Sequence, residues 1–131
     1  GALGLEALSR GASQVEFVEL DRKSTAVIKE NIELLESDNG EVITRDALQF
    51  LSKLTDGESS SYDLIFLDPP FQFKYLKQIF ERLSESKKNF SDTIIMIHYE
   101  EGEKFNFNDY LDEILKKKYG RSIVFFGKIK N

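Results

Sequence analysis

The chain of 131 residues has no cysteine and no tryptophan, one histidine (His98) and two prolines. Without cysteine there is no disulfide, no thiolate metal ligand and no thiol redox couple. One imidazole excludes a multi-histidine metal centre, so no metal is expected. No apolar run approaches the roughly 20 residues that a spanning helix needs. No basic leader opens the chain. A membrane partner is therefore not expected, and a cysteine-free composition suits the cytoplasm. Strong charge of one sign is lacking too. The net charge of −5 divides into −7 over residues 1–65 and +2 over residues 66–131. A polyanion would meet the second half more readily than the first. The basic footprint is still too weak for tight nucleic-acid binding by this segment alone.

What is present suffices for a core. Apolar residues make up 40% and charged residues 31%, too apolar for a disordered chain, and the length fits one domain. No repeat or interdomain linker interrupts it. The one loop-like cluster, Asp56-Gly57-Glu58-Ser59-Ser60-Ser61, is too short to separate domains.

Strand and helix patterns alternate. Leu5–Arg10 reads as helix, stopped by Gly11, and Val15–Leu20 as a strand rich in β-branched and aromatic residues. Asp21 is placed to cap a helix beginning near Arg22, with Val27, Ile28, Ile32 and Leu35 as its apolar stripe and Asp38-Asn39-Gly40 as its end. Glu41–Arg45 is a short strand, followed by a helix carrying Ala47, Leu48, Phe50, Leu51 and Leu54. Tyr62–Leu67 is a strand whose nearly all-apolar end suggests burial on both faces. Lys74 to about Ser86 is helical with Leu76, Ile79, Phe80 and Leu83 inward, and Thr93–His98 is another strand. Residues 108–119 fit a helix through Leu111, Ile114 and Leu115, or a strand turned at Gly120-Arg121. A short helix near 108–112 and then a hairpin is the favoured reading. This order predicts an α/β fold with a mostly parallel sheet. Ligands of such sheets sit beyond the carboxyl ends of the strands. Glu19, Asp46 and Asp68 occupy those places.

Asp68-Pro69-Pro70-Phe71 is the sharpest signal. Two prolines directly after a strand remove two N–H donors and freeze the carbonyl directions. The result is a fixed row of acceptors, one carboxylate plus carbonyls, beside an aromatic face. Such a row suits an exocyclic amine, whose ring can stack on Phe71. Asp before Pro is also a common turn opener, so a plain strand-to-helix turn competes. Gly1-Ala2-Leu3-Gly4 resembles the latter half of a glycine-rich nucleoside loop, although taken alone a bare helix start is the more frequent origin of such a pair. Glu19 lies 15 residues beyond Gly4, near the spacing of about 20 for an acid that accepts ribose hydroxyls. Asp21 competes for that role but is better placed as a helix cap. Asp46-Ala47 could touch an adenine amine or cap a helix. His98 reads as a partly buried imidazole with one hydrogen bond. Lys116-Lys117-Lys118 reads as a solvated face. Phe105, Phe107, Phe125 and Phe126 read as core or sheet-face residues.

Taken in order, G-x-x-G-L-E-A-L-S-R-G-A, V-E-F-V-E-L-D-R, R-D-A and D-L-I-F-L-D-P-P-F resemble the RsmD family. These are bacterial methyltransferases that use S-adenosylmethionine on guanine N2 of small-subunit ribosomal RNA. The resemblance runs from residue 1 to about 130. It implies a Rossmann-like class I methyltransferase fold with a C-terminal antiparallel hairpin. It matches Gly1 and Gly4 to nucleoside-loop glycines, Glu19 to the acid on the ribose with Asp21 close by, and Asp46, with Ala47, to the adenine. It matches Asp68, Pro69, Pro70 and Phe71 to the tetrad that holds the target base. The partner it implies is ribosomal RNA or a small-subunit assembly intermediate.

The family also has a strand and a D-x-F-A-G-S stretch ahead of the point where this chain begins, and an N-terminal arm that contributes to RNA contact. That strand lies centrally in the sheet, between the strands ending at Glu19 and Leu67. These 131 residues are thus expected to be part of a longer protein and to be unstable or inactive alone. The chemistry expected of the whole is direct methyl transfer without a covalent enzyme intermediate. Two other readings are an N6-adenine methyltransferase on DNA or RNA, which shares the tetrad, and a non-catalytic α/β binding module.

Overall fold

The computed structural model describes residues 1–55, 62–70 and 73–130. They fall into two units, residues 1–50 and 51–131.

In the first unit, helix α1 (Ala2–Ser9) leads into strand β1 (Val15–Glu19), helix α2 (Arg22–Leu34) and strand β2 (Gly40–Thr44). β1 and β2 pair in parallel, from Val15 opposite Gly40 to Glu19 opposite Thr44. Leu8, Phe17, Ile28 and Ile32 are buried together, with Leu5, Val15 and Val42 packed against them. The expected stripe on α2 is corrected here. Ile28 and Ile32 are buried with Thr25, whereas Val27 and Leu35 are 55% and 41% exposed. One strand pair covers only a narrow band of the helix, so the flanking apolar positions face outward. The close of α2 is corrected too. The helix ends before Glu36, which takes a left-handed φ of 53°, and Gly40 opens β2 instead of ending the helix. A Cβ on Gly40 would stand 2.9 Å from Leu8 Cδ1, so the glycine lets α1 lie close over the strand.

Helix α3 (Ala47–Thr55) starts at the end of the first unit. The second unit continues with strand β3 (Leu64–Leu67), helices α4 (Leu76–Glu85) and α5 (Lys87–Phe90), strand β4 (Ile94–Glu100), a 3₁₀ turn at Phe107–Asp109, and strands β5 (Leu111–Tyr119) and β6 (Ser122–Ile129). The strand order is β3-β4-β6-β5. β3 and β4 are parallel, whereas β6 is antiparallel to both β4 and β5. Among the described residues two strand pairs are parallel and two antiparallel, so the C-terminal hairpin weighs more in the sheet than expected. Leu76, Ile79, Phe80 and Leu83 of α4 are buried as their spacing predicts. Phe80 stacks on Phe105 and Tyr110 and meets Phe107 edge-on.

The ambiguity over residues 108–119 resolves into the 3₁₀ turn and β5. A bulge lies between Glu113 and Leu115, where the register skips Ile114. One extra residue in a strand breaks its period of two, which is why Leu111, Ile114 and Leu115 mimic helical spacing. The lysine run lies on β5, which is exposed from Asp112 to Tyr119. A charged outer strand resists pairing with another chain.

β3 departs from expectation in burial. Leu64 is 48% exposed, and Ile65, Phe66 and Leu67 are half-buried. Its only strand partner among the described residues is β4, and the only one of β1 is β2. Among the described residues each of these two strands therefore has one unpaired edge.

Candidate functional site

The second unit builds its site from strand register. Leu67 of β3 lies opposite Ile97 of β4. The next residues on these parallel strands are Asp68 and His98, and they meet: His98 Nδ1 is 3.1 Å from Asp68 Oδ1. A carboxylate oxygen accepts, so the contact assigns the donor role and a proton to Nδ1. A cleft of about 110 Å³ opens there, with Asp68, Pro69 and Pro70 on one side and His98, Tyr99, Glu100 and Glu103 on the other. The Pro70 carbonyl accepts from the Phe73 N–H at 3.1 Å. No described residue donates to the Pro69 carbonyl. The corner thus points into a cleft at the strand tip, with the Asp68 side chain 64% exposed. Phe71 lies outside the described residues.

Three carboxylates and one imidazole line this cleft. Such a lining repels phosphate and attracts N–H donors and cations. No group of three or more side chains suited to a metal ion occurs among the described residues.

The first unit places the other candidates. Leu8 of α1 lies by Gly40, which is opposite Val15, and Gly4 lies by Phe17, so α1 runs back along β1 with its first turn toward the carboxyl end of that strand. Gly1 caps α1 without a side chain, leaving first-turn N–H groups open to a ligand. The glycines themselves have a packing reason. A Cβ on Gly4 would collide with the Phe17 ring, and one on Gly1 would stand 2.8 Å from Ile28 Cγ1. Glu19 ends β1, and its carboxylate has no hydrogen-bond partner among the described residues. Its backbone carbonyl accepts from the Arg45 N–H at 3.1 Å.

The other two acids are committed locally. Asp21 caps α2, accepting from the Ser24 hydroxyl at 2.8 Å and the Ser24 N–H at 3.0 Å. Asp46 caps α3, accepting from the Leu48 and Gln49 N–H groups at 3.1 and 3.3 Å. Ala47, the first residue of α3, is exposed. A groove of about 430 Å³ in this unit, lined by Arg22, Thr25, Ala26, Lys29 and Thr44, contains no candidate acid.

The Ser24 hydroxyl, then its N–H, holds the Asp21 carboxyl below its usual range. A lowered value in the folded state means the cap stabilises at neutral pH and is lost as pH falls through that value. Asp21→Ala should therefore lower the melting temperature slightly at pH 7. Melts taken down a pH series should show the difference from wild type vanish in acid. A difference that persists or grows in acid would contradict the cap.

Sequence reasoning placed His98 as a partly buried imidazole with one bond, and so it is. Its partner was not foreseen. The available signal was that β3 and β4 each end their apolar run immediately before a polar residue, Asp68 and His98.

The family model for conserved hypothetical protein 95 matches residues 1–128. Ribosomal RNA small subunit methyltransferase D of Haemophilus influenzae is 40% identical over 88 residues, 66% of this chain and 45% of that protein. The chain spans about half the length of the curated relatives it matches. A conserved hypothetical protein of Streptococcus pyogenes superposes with a TM-score of 0.77 at 25% identity, over 99% of this chain and 80% of that one. A ribosomal protein L11 methylase of Lactobacillus delbrueckii shares the fold, with a TM-score of 0.74 at 18% identity over 100% of this chain and 65% of the other.

Proposed function

The chain belongs to the conserved hypothetical protein 95 family, the RsmD family, and has its Rossmann-like α/β fold; on that premise we propose that the protein containing it methylates the exocyclic N2 of a guanine in small-subunit ribosomal RNA. The observation that carries this reading is the diproline corner, whose carboxylate faces an acid-lined cleft at the tip of β3. When bound, S-adenosylmethionine supplies the electrophilic sulfonium methyl. Asp68 and the Pro69 carbonyl accept the two N–H groups of the target amine. That arrangement turns the nitrogen lone pair away from the acceptors, and the enzyme contributes mainly position and electrostatics. The base must leave its stack to reach the cleft, and Phe71 is assigned the stacking face that offsets this cost.

The first unit fits the donor by its chemistry. Glu19 is assigned the ribose diol, for which an uncommitted carboxylate at a strand tip is suited. The N–H groups in the first turn of α1 would hold its anionic end, with Gly1 and Gly4 letting that turn pack closely on Ile28 and Phe17. Asp46 and Ala47 are assigned the adenine edge, with Asp46 using its second carboxylate oxygen. Asp21 remains a cap that shapes the turn after Glu19. Ribosomal RNA as the proposed partner favours a cytoplasmic site of action for the whole protein.

Calorimetry on the complete protein tests the cofactor assignment. Losing hydrogen bonds to a charged acceptor costs about 1.5–3 kcal/mol, so Glu19→Ala should weaken S-adenosylmethionine binding roughly 10- to 100-fold. Asp21→Ala should leave it nearly unchanged. Equal affinities for wild type and Glu19→Ala would remove Glu19 from the site.

A further inference from the structure

We propose that His98 is a positioning residue for Asp68: it clamps one carboxylate oxygen and leaves the other for the substrate amine. The inference rests on the proposed role of Asp68 and goes beyond it, since no sequence motif includes His98. The contact spans two strands, 30 residues apart in the chain, with Nδ1 donating to Oδ1 at 3.1 Å. It follows from the register of β3 on β4, which sets the two backbones side by side.

Stability does not account for the pair. The His98 and Asp68 side chains are 38% and 64% exposed, and exposed pairs of this kind contribute about 1 kcal/mol or less. Orientation does. The terminal torsion of an aspartate is broad, and an exposed carboxylate on a strand tip would turn freely. Glu100 and Glu103 line the same cleft and would repel it. His98 is the one nitrogen donor among the lining side chains. With Oδ1 held, Oδ2 has no partner among the described residues and is the oxygen that meets the incoming N–H. A substrate amine then finds its acceptor already set.

The test uses the complete protein, a labelled methyl donor and small-subunit RNA lacking the modification. His98→Phe should lower kcat on the order of 10²-fold, the cost of a misplaced reacting group. The KM values for donor and RNA and the melting temperature should stay close to wild type. His98→Asn can present its amide nitrogen where Nδ1 stands, and should recover most of the lost kcat. A wild-type kcat in His98→Phe, or equal losses in both variants, would overturn the proposal. Asp68→Ala in the same assay separates the two levels. If it is inactive while His98→Phe is normal, only the positioning role fails. If it retains full activity, the reading of the whole site fails.

Discussion

Asp68→Ala in the complete protein should lower methyl transfer on the order of 10³-fold, while S-adenosylmethionine should still bind as in wild type. The first half of this expectation follows from what the side chain can touch. Its carboxylate lies at the tip of β3 in the cleft, and its one described partner is His98. Removing a preorganised polar group aimed at the reacting centre typically costs about 10²–10³ in kcat. The amine of a guanine is a poor nucleophile because its lone pair is delocalised into the ring, which places the effect at the upper end. The second half follows from the assignments, which give the donor to other residues. The groups assigned to the donor, Glu19 and the start of α1, belong to residues 1–50. Folding should survive because the side chain is mostly exposed. Labelled-methyl incorporation and calorimetry on one preparation give both numbers. Near-normal methylation would refute the role of Asp68.

The largest effect on stability is expected from Phe80→Ala. Phe80 is fully buried. Its ring centroid lies 5.5, 5.6 and 5.7 Å from those of Phe105, Phe107 and Tyr110. Truncation loses the transfer energy of the ring and opens a cavity among three aromatic neighbours, which costs about 3–5 kcal/mol. Domains of this kind have only about 5–15 kcal/mol in hand. The variant should therefore be largely unfolded under mild denaturant. Val27→Ala, at a position 55% exposed, should change stability by about 0.5 kcal/mol or less. Denaturant midpoints compared at unchanged slope check both. A loss below about 1 kcal/mol for Phe80→Ala would mean that the aromatic cluster is loosely packed.

The elements most legible in the sequence are those whose own residues carry the pattern. The stripe Leu76, Ile79, Phe80 and Leu83 placed α4 correctly because one helical face fills one core. The cap at Asp21 was legible because the capping group and its target are three residues apart. Features that depend on distant neighbours were less so. Val27 and Leu35 match the helical spacing, yet a two-strand sheet leaves them uncovered. β3 reads as buried on both faces, but a strand paired on one edge is only half-covered. Ile114 imitates a helix because a bulge shifts its register. At the candidate site the tetrad and Glu19 were legible as polar residues following strands. The contact of His98 with Asp68 was not, because it depends on how β3 and β4 align, which neither segment encodes alone.

The diproline corner is proposed to present its oxygens to a nucleobase amine. That role is tested most directly by incubating the complete protein with small-subunit RNA and labelled donor, digesting the RNA to nucleosides and identifying the methylated one. The expected product is a guanosine carrying the methyl on N2. A methyl on a ring carbon or a ribose hydroxyl, positions with no amine for Asp68 to hold, would contradict it.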